Sequence, residues 1–345
     1  MQRFDVIVVG LGPVGAVLAA RLQSLGASVL VVERDAEPFP LPRAIAADDE
    51  VQELLARTGP GLVEPMLHDQ PVRFVAGDRV LGTVLFPRSA GGFCGLAFFD
   101  QPDVERSLRG LVTCARLGVS LRSYVDTRTG IEADLSDGTT VRADWLVGCD
   151  GAGSVVRRLA GIAWRGRELG GTWRVVDAVG DAGRPGFTYT CDRLQPSVDM
   201  PRPGGHRWEF LLRRGSAVPE VPLPVLRSVD YRFSARRAAT WRVGRVLLAG
   251  DAAHTMPPFA GQGLGAGLRD AFALAALFGR GDPAGYEQLR APHVREMTRL
   301  SLMLGSLLQS PAGPGVLRAA FATPGLAPWL SAGGPRRPAS GVLDL

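Results

Sequence analysis

Three glycine-rich turns hold the residues that could do chemistry. The first, Gly10-Leu-Gly-Pro-Val-Gly15, follows the apolar run Phe4–Val9. In such a turn Gly10 permits the tight bend and Gly12 removes the Cβ that would block a pyrophosphate. Gly15, beyond Pro13 and Val14, lets a helix lie close on the strand. That helix offers phosphates its unpaired N–H groups and a partial positive charge. Glu33 stands about 20 residues on, where a carboxylate accepts from both hydroxyls of an unphosphorylated ribose. A phosphate on that ribose would be repelled, so FAD or NAD is expected here rather than NADP.

The second turn is Asp150-Gly151-Ala-Gly-Ser154, between an apolar strand and a helix. Asp150 is placed to touch a cofactor hydroxyl or to cap the turn. The third is Gly250-Asp251-Ala-Ala-His254, followed by the rigid Pro257-Pro258 step and the glycine-rich stretch from Gly261 through Gly263 and Leu264. Asp251 can bind a ribityl hydroxyl. The N–H groups near Gly263 and Leu264 can face the N1–C2=O edge of a flavin, whose reduced form is anionic there. Arg43, at the end of the proline-rich loop Arg34–Arg43, could reach a flavin ring or a pyrophosphate. His254 is read as hydrogen-bonding within its loop, not as a base, and His68, His206 and His293 as isolated.

Elements must position these turns. A strand is expected over 4–9, a helix over 16–25 and a strand over 28–33. The pattern then predicts a helix over 45–56, a hairpin over 72–86 around Gly77-Asp78 and a helix over 105–117 stopped by Gly118. A strand follows over 119–125, a hairpin over 131–135 and 140–143, and a separate strand over 144–149. Segments 172–179, 186–190, 207–213 and 229–234 read as a second, mostly antiparallel sheet. Its alternation would turn some of Trp173, Phe187, Tyr189, Trp208 and Phe210 toward a cavity, with plain core packing the better reading for any one of them. A strand over 245–249, a helix over 264–277 and one or two helices over 284–309 complete the pattern. A loose tail follows, with a helical piece at 317–321.

The chain has 345 residues, 46% hydrophobic and 21% charged, enough for a large core. Its net charge of +5 is mild, and its 39 basic residues are all arginine. No arginine block is interleaved with aromatics, so nucleic acid is not an expected partner. Cys94, Cys114, Cys149 and Cys191 form no close pair, which suggests free thiols in a reducing cytoplasm, without a metal site or a disulfide framework. The sequence shows neither a secretory leader pattern nor an apolar run of membrane-spanning length.

Taken in order, the three turns resemble those of the FAD-dependent aromatic hydroxylases, the group A flavin monooxygenases of the para-hydroxybenzoate hydroxylase fold. Arg43-Ala44, Gln101-Pro102, Arg207-Trp-Glu-Phe210 and Tyr231-Arg-Phe233 resemble the 3-(3-hydroxyphenyl)propionate and polyketide hydroxylase branch. The likeness spans residues 4–310. It implies an α/β fold: a Rossmann-like FAD-binding domain (1–70, 98–162, 244–283), an inserted, mostly antiparallel β-sheet substrate domain (71–97, 163–243), and C-terminal helices with a loose tail (284–345).

The resemblance also implies FAD held by the first turn, with Glu33 on the adenosine ribose and Arg34 and Val125 among its contacts. Arg43 and Gln101 stand toward the flavin, Asp251 on the ribityl chain, and Asp150-Gly151 serves both FAD and a reduced nicotinamide. Pro257-Pro258 matches the step beside flavin C4a where the substrate ring sits, and Gly263 and Leu264 the helix start facing the flavin. The implied cycle is reduction by NADH or NADPH, addition of O2 at C4a, and delivery of one oxygen from the hydroperoxide to a phenolic or polyketide-like ring. Water exclusion protects that species. A cytoplasmic monomer or homodimer with no membrane partner is expected. Rival readings are epoxidation, Baeyer–Villiger insertion or dehydrogenation on the same scaffold, a flavin-binding protein without turnover, and a plain NAD dehydrogenase. The sequence departs from the branch in short connections at 215–228 and 125–141, in Gly265 where the family often has Asn, and in showing no counterpart of the branch's C-terminal thioredoxin-like domain.

Overall fold

The computed structural model describes residues 1–192, 195–213, 217–323 and 325. The chain opens with β1 (Arg3–Val9), α1 (Pro13–Ser24) and β2 (Val29–Glu33). The helix starts at Pro13, ahead of the expected Ala16, because proline's fixed φ suits a first helical turn. The single helix expected over 45–56 is instead β3 (Ala46–Ala47) and α2 (Asp49–Thr58). Asp48 caps α2 by accepting from the Val51 N–H at 2.8 Å, which leaves the residues before it extended. They pair with β6 (Ala97–Phe98), beyond the hairpin of β4 (Val72–Ala76) and β5 (Arg79–Val84).

The helix expected over 105–117 divides into α3 (Gln101–Gly110) and a strand, β7 (Ala115–Leu117), parallel to β2. Pro102 in the first turn starts α3 early. The pairing of β7 is a long-range contact that the local apolar pattern does not reveal. β8 (Leu121–Thr127) and β9 (Gly130–Leu135) follow. The strands expected separately over 140–143 and 144–149 are one, β10 (Thr140–Gly148), antiparallel to β9 at its start and parallel to β1 from Arg142 to Gly148.

Beyond α4 (Val155–Leu159) come β11 (Trp164–Glu168), β12 (Thr172–Val179) and β13 (Phe187–Thr190). Next is β14 (Ser197–Arg202), which the sequence pattern did not indicate, and then β15 (Gly205–Leu212). The strand expected over 229–234 is β16 (Val225–Tyr231), and Ser234 belongs to β17 (Ser234–Ala238). β18 (Arg242–Val243), β19 (Val246–Leu248) and β20 (His254–Thr255) lead to α5 (Gly263–Gly279). A single α6 (Tyr286–Gln309) carries Pro292 inside it, and α7 (Gly313–Ala322) covers the expected helical piece. Beyond α7 the expected tail lies, apart from residues 323 and 325, outside the described residues.

Two large sheets organise the fold. The first has the order β18-β19-β10-β1-β2-β7, with β9 and β8 attached through β10. β19, β10, β1 and β2 run parallel, so their carboxyl ends meet at one edge. Ile7, Val8, Val31, Leu146, Val147 and Leu247 are fully buried, as parallel strands covered on both faces require. The second is the seven-stranded β16-β12-β15-β14-β13-β4-β5, antiparallel except for β13 on β4. A three-stranded sheet, β11-β17-β20, stands apart from both. The fold is α/β as expected. Among the described residues no helix is long and apolar enough to cross a membrane.

Candidate active site

A cleft of about 690 Å³ lies between the carboxyl edge of the parallel sheet and one face of the seven-stranded sheet. That volume is within the range of sites for cofactors and small ligands.

On the first wall the glycines separate by function. A Cβ on Gly15 would sit 2.0 Å from the Gly10 carbonyl oxygen, and one on Gly10, at φ +104°, would sit 2.5 Å from the Cys149 carbonyl oxygen. A Cβ on Gly12 would meet nothing within 4 Å, because it would point into the cleft. Glu33 accepts from the Leu11 N–H at 2.6 Å and the Asp35 N–H at 3.0 Å. A carboxylate has about four acceptor positions, so about two are left over.

Asp150 Oδ2 accepts from the Val155 and Val156 N–H groups at 2.6 and 3.1 Å, while its buried Oδ1 has no partner among the described residues. One oxygen caps α4 and the other remains unused, so the two readings of Asp150 do not compete. Gln101 Oε1 accepts from the Arg43 and Ala44 N–H groups at 2.9 and 2.6 Å, and its amide donates to Glu105 at 2.5 Å. Burial pushes the Glu105 carboxyl up, against the pull of Gln101 and Arg43. Asp251 is exposed to the cleft, and partial desolvation by the surrounding protein raises its carboxyl despite His254 and Arg43.

His254 bonds outside its own loop. Its Nε2 lies 2.6 Å from Asp270 Oδ2 on α5, which also accepts from the Gly250 N–H at 3.1 Å. Arg290 Nε donates to the other oxygen at 2.9 Å. Burial opposes ionisation of Asp270, but His254 and Arg290 together hold its carboxyl below the usual range. The other histidines are not isolated either. His206 lies 2.9 Å from Asp199, and His68 lies 3.6 Å from the Cys94 sulfur. His293 lies 3.4 Å from Arg290; burial and that guanidinium push it down to about 3.

Of the expected site residues, Gly10, Gly12, Pro13, Val14, Glu33 and Arg34 line the cleft, as do Arg43, Gln101, Asp150, Gly151 and Asp251. So do Pro258, Gly261, Gly263 and Leu264. Four do not. Gly15 lies beneath Gly10, and Gly250 packs against Val14. Pro257 is buried, its carbonyl accepting from Ser301 at 2.6 Å. Val125 is 60% exposed and away from the cleft, because β8 leads outward and only its first residue, Leu121, and the preceding Ser120 reach the lining. Gly265, where the family often has Asn, lies against Arg269: a Cβ there would be 2.8 Å from its Nη1.

The second wall is set by strand register. Arg207 lies opposite Met200 and Asp177, and Glu209 opposite Val198 and Val175. Trp173, Phe187 and Tyr189 face the cleft with them, and Trp208 and Phe210 pack behind the sheet with Val176 and Ala178. The Tyr189 hydroxyl donates to the Phe259 carbonyl at 3.1 Å, and Trp173 packs on the Phe259 ring at 5.8 Å between centroids. Asp177, fully buried, binds Arg207 at 2.7 and 3.1 Å and Arg227 at 2.6 Å. Arg207 also donates to the carbonyls of Arg43 (2.9 Å) and Pro42, and Arg227 to that of Pro42 at 2.8 Å. These bonds fasten the Arg43 loop to the second sheet.

With both walls in view, comparison with known proteins places the chain. Residues 3–195 and 206–300 match the FAD binding domain family. The chain belongs to that family.

This FAD-binding chain is 34% identical to the 3-(3-hydroxy-phenyl)propionate/3-hydroxycinnamic acid hydroxylase of Klebsiella pneumoniae, over 89% of its own length and 63% of the relative's. Its counterpart in Comamonas testosteroni is 35% identical over 88% and 58%. The chain therefore spans about six-tenths of the length of these relatives. Among solved structures, p-nitrophenol 4-monooxygenase from Pseudomonas putida shares the fold, with a TM-score of 0.83 at 22% identity over 100% of this chain and 98% of that one. Aklavinone-11 hydroxylase, solved with FAD and aklavinone, has a TM-score of 0.77 at 25% identity over 91% and 70%.

The cleft fits FAD. Open space fronts Gly12, Glu33 keeps acceptor capacity, and Asp150 Oδ1 is an unused buried acceptor. Arg109, which sequence reading did not single out, adds a complementary donor. It lines the cleft, and its Nε and Nη1 are buried without partners among the described residues. Its signal was helical spacing, four residues after Glu105 on the cleft side of α3.

Proposed function

We propose that the protein is an FAD-dependent monooxygenase that hydroxylates a phenolic or polyketide-like ring, consuming NADH or NADPH and O2. One observation carries the reading: a dinucleotide-type wall and an aromatic wall share one cleft, in a chain whose curated relatives are named hydroxylases. Bound FAD supplies the redox chemistry and the activation of O2. In this reading Glu33 binds the adenosine ribose, Asp251 the ribityl chain, and Arg43 and Gln101 the flavin side. The start of α5 at Gly263 and Leu264 presents N–H groups to the anionic edge of reduced flavin. Trp173, Phe187 and Tyr189 exclude water around the ring, and Pro258 and Phe259 border it.

The same proposal assigns the FAD-binding domain to 1–70, 98–162 and 244–283, the substrate domain to 71–97 and 163–243, and helices and tail to 284–345. It places the enzyme in the cytoplasm as a monomer or homodimer. The test is turnover of the FAD-loaded chain with a phenol panel under ¹⁸O₂. Ring-stimulated oxidation of NADH or NADPH with label in the product is expected. Stimulated oxidation with unlabelled product would leave dehydrogenation on the same scaffold.

A further inference from the structure

The aromatic wall carries one carboxyl that the protein itself leaves mostly unused. Glu209 lines the cleft in mid-strand on β15, flanked by Val198 and Val175 on the neighbouring strands. Its nearest charged group is Arg207 on its own strand, at 3.8 Å, too long for a hydrogen bond. No hydrogen bond to its carboxyl is made among the described residues. Arg207 is already engaged by Asp177 and by the Arg43 and Pro42 carbonyls. Asp177 from β12 and Arg227 from β16 form the rest of that cluster. Tyr189 from β13 is the remaining ionisable group beside it, with its hydroxyl given to the Phe259 carbonyl.

A carboxyl so placed needs a donor, and the aromatic side chains around it select a flat apolar body. A phenol supplies both. We propose that Glu209 accepts the hydrogen bond of the substrate's aromatic hydroxyl and takes its proton as the ring is oxygenated.

The purpose of the proton transfer rests on the monooxygenase reading; the binding contact does not. In the step the substrate O–H bond breaks, a Glu209 Oε–H bond forms, and the electron pair left on the phenolic oxygen enriches the ring for attack by an electrophilic oxygen. When the ring recovers its aromaticity the oxygenated carbon sheds its hydrogen as a proton, which neutralises the charge left on the oxygen donor. The Glu209 proton returns to the phenolic oxygen, so the carboxylate is regenerated. Burial raises the Glu209 carboxyl, with Arg207 and Arg227 opposing and Asp177 assisting. A raised carboxyl is a stronger base than an ordinary glutamate and better matched to a phenol.

The test is equilibrium binding to the FAD-loaded full chain, read by perturbation of the flavin absorbance. The probes are phenol, 1-naphthol, 4-nitrophenol and 4-nitroanisole. 4-Nitrophenol ionises near neutrality, so from about pH 6 to about pH 9 its affinity for the native protein should fall at least about tenfold, as an anion comes to face a carboxylate. Glu209→Gln offers an amide N–H instead, and its profile should flatten or reverse. Asp251, on the opposite wall, is unchanged in this variant. The native protein should also prefer 4-nitrophenol to 4-nitroanisole at low pH, and Glu209→Leu, which has no acceptor oxygen, should lose that preference.

Equal binding of 4-nitrophenol and 4-nitroanisole by the native protein at low pH overturns the proposal even without a folded variant. So does a Glu209→Gln profile that tracks the native one, or a yellow holoprotein that binds none of the phenols. Unlabelled product with the pH switch intact would sink the monooxygenase reading and leave the Glu209 contact standing. Labelled product with an unchanged variant would do the reverse.

Discussion

The two walls of the cleft are built from different materials. The parallel-sheet wall works largely through backbone: the Gly10–Gly15 turn, the start of α5, and loops held by Gln101 and Asp270. The antiparallel wall works through side chains that alternate along strands, with Asp177 and its arginines at one side and aromatic rings at the other. Backbone sites demand particular residues at fixed spacing and so tolerate little change. A side-chain wall can exchange its surface while its strands persist.

Substitutions can break or sharpen that contrast. The largest effect is expected from Gly15→Val, because the first added carbon already meets the immobile Gly10 carbonyl oxygen at 2.0 Å. Loss of soluble protein, or of more than about 4 kcal/mol in a denaturant melt, is the expected result; a stable, yellow variant would show that the turn has slack. Asp177→Ala comes next. It leaves Arg207 and Arg227 uncompensated, at a cost of about 3–5 kcal/mol in the same melt. A cost under about 1 kcal/mol would mean that the second wall is as replaceable as a surface ion pair.

Gly12→Ala tests the first wall without its packing. With nothing within 4 Å of the new carbon, the melting temperature should hold while FAD affinity, read by quenching of flavin fluorescence, falls about tenfold. Unchanged affinity would remove Gly12 from the pyrophosphate site. The smallest effect belongs to Val125→Ser. This residue is 60% exposed outside the cleft, and the change should stay within about 0.5 kcal/mol with FAD binding untouched. A clear loss of FAD would bring β8 back into the site.

The same contrast explains what the sequence made legible. The turns at Gly10, Asp150 and Gly250 could be read because a close backbone approach excludes most residue types, and helix starts and acids confirm it locally. Val125 failed because the resemblance carried the expectation to a strand whose direction was unknown, and Leu121 occupies the edge instead. β7 and β14 were missed because their pairing partners, not their own short patterns, make them strands. The His254–Asp270–Arg290 bonds join residues 16 and 20 positions apart on separate elements, and no local spacing announces them. Glu209 and Arg109 needed the register of a sheet and the facing of a helix before they could be seen to share a cleft.

The short peptide from Pro42 to Ala44 is gripped from both sides. Arg207 and Arg227 hold its carbonyls from the seven-stranded sheet, and Gln101, at the start of α3, holds its amides from the opposite side. Glu209 stands two residues from Arg207 on β15, so the strand that lines the cleft with its carboxyl is the strand bonded to the loop carrying the Arg43 guanidinium. The two sides of the cleft are thereby stapled to one another at a single tripeptide, with direct hydrogen bonds as the only link required.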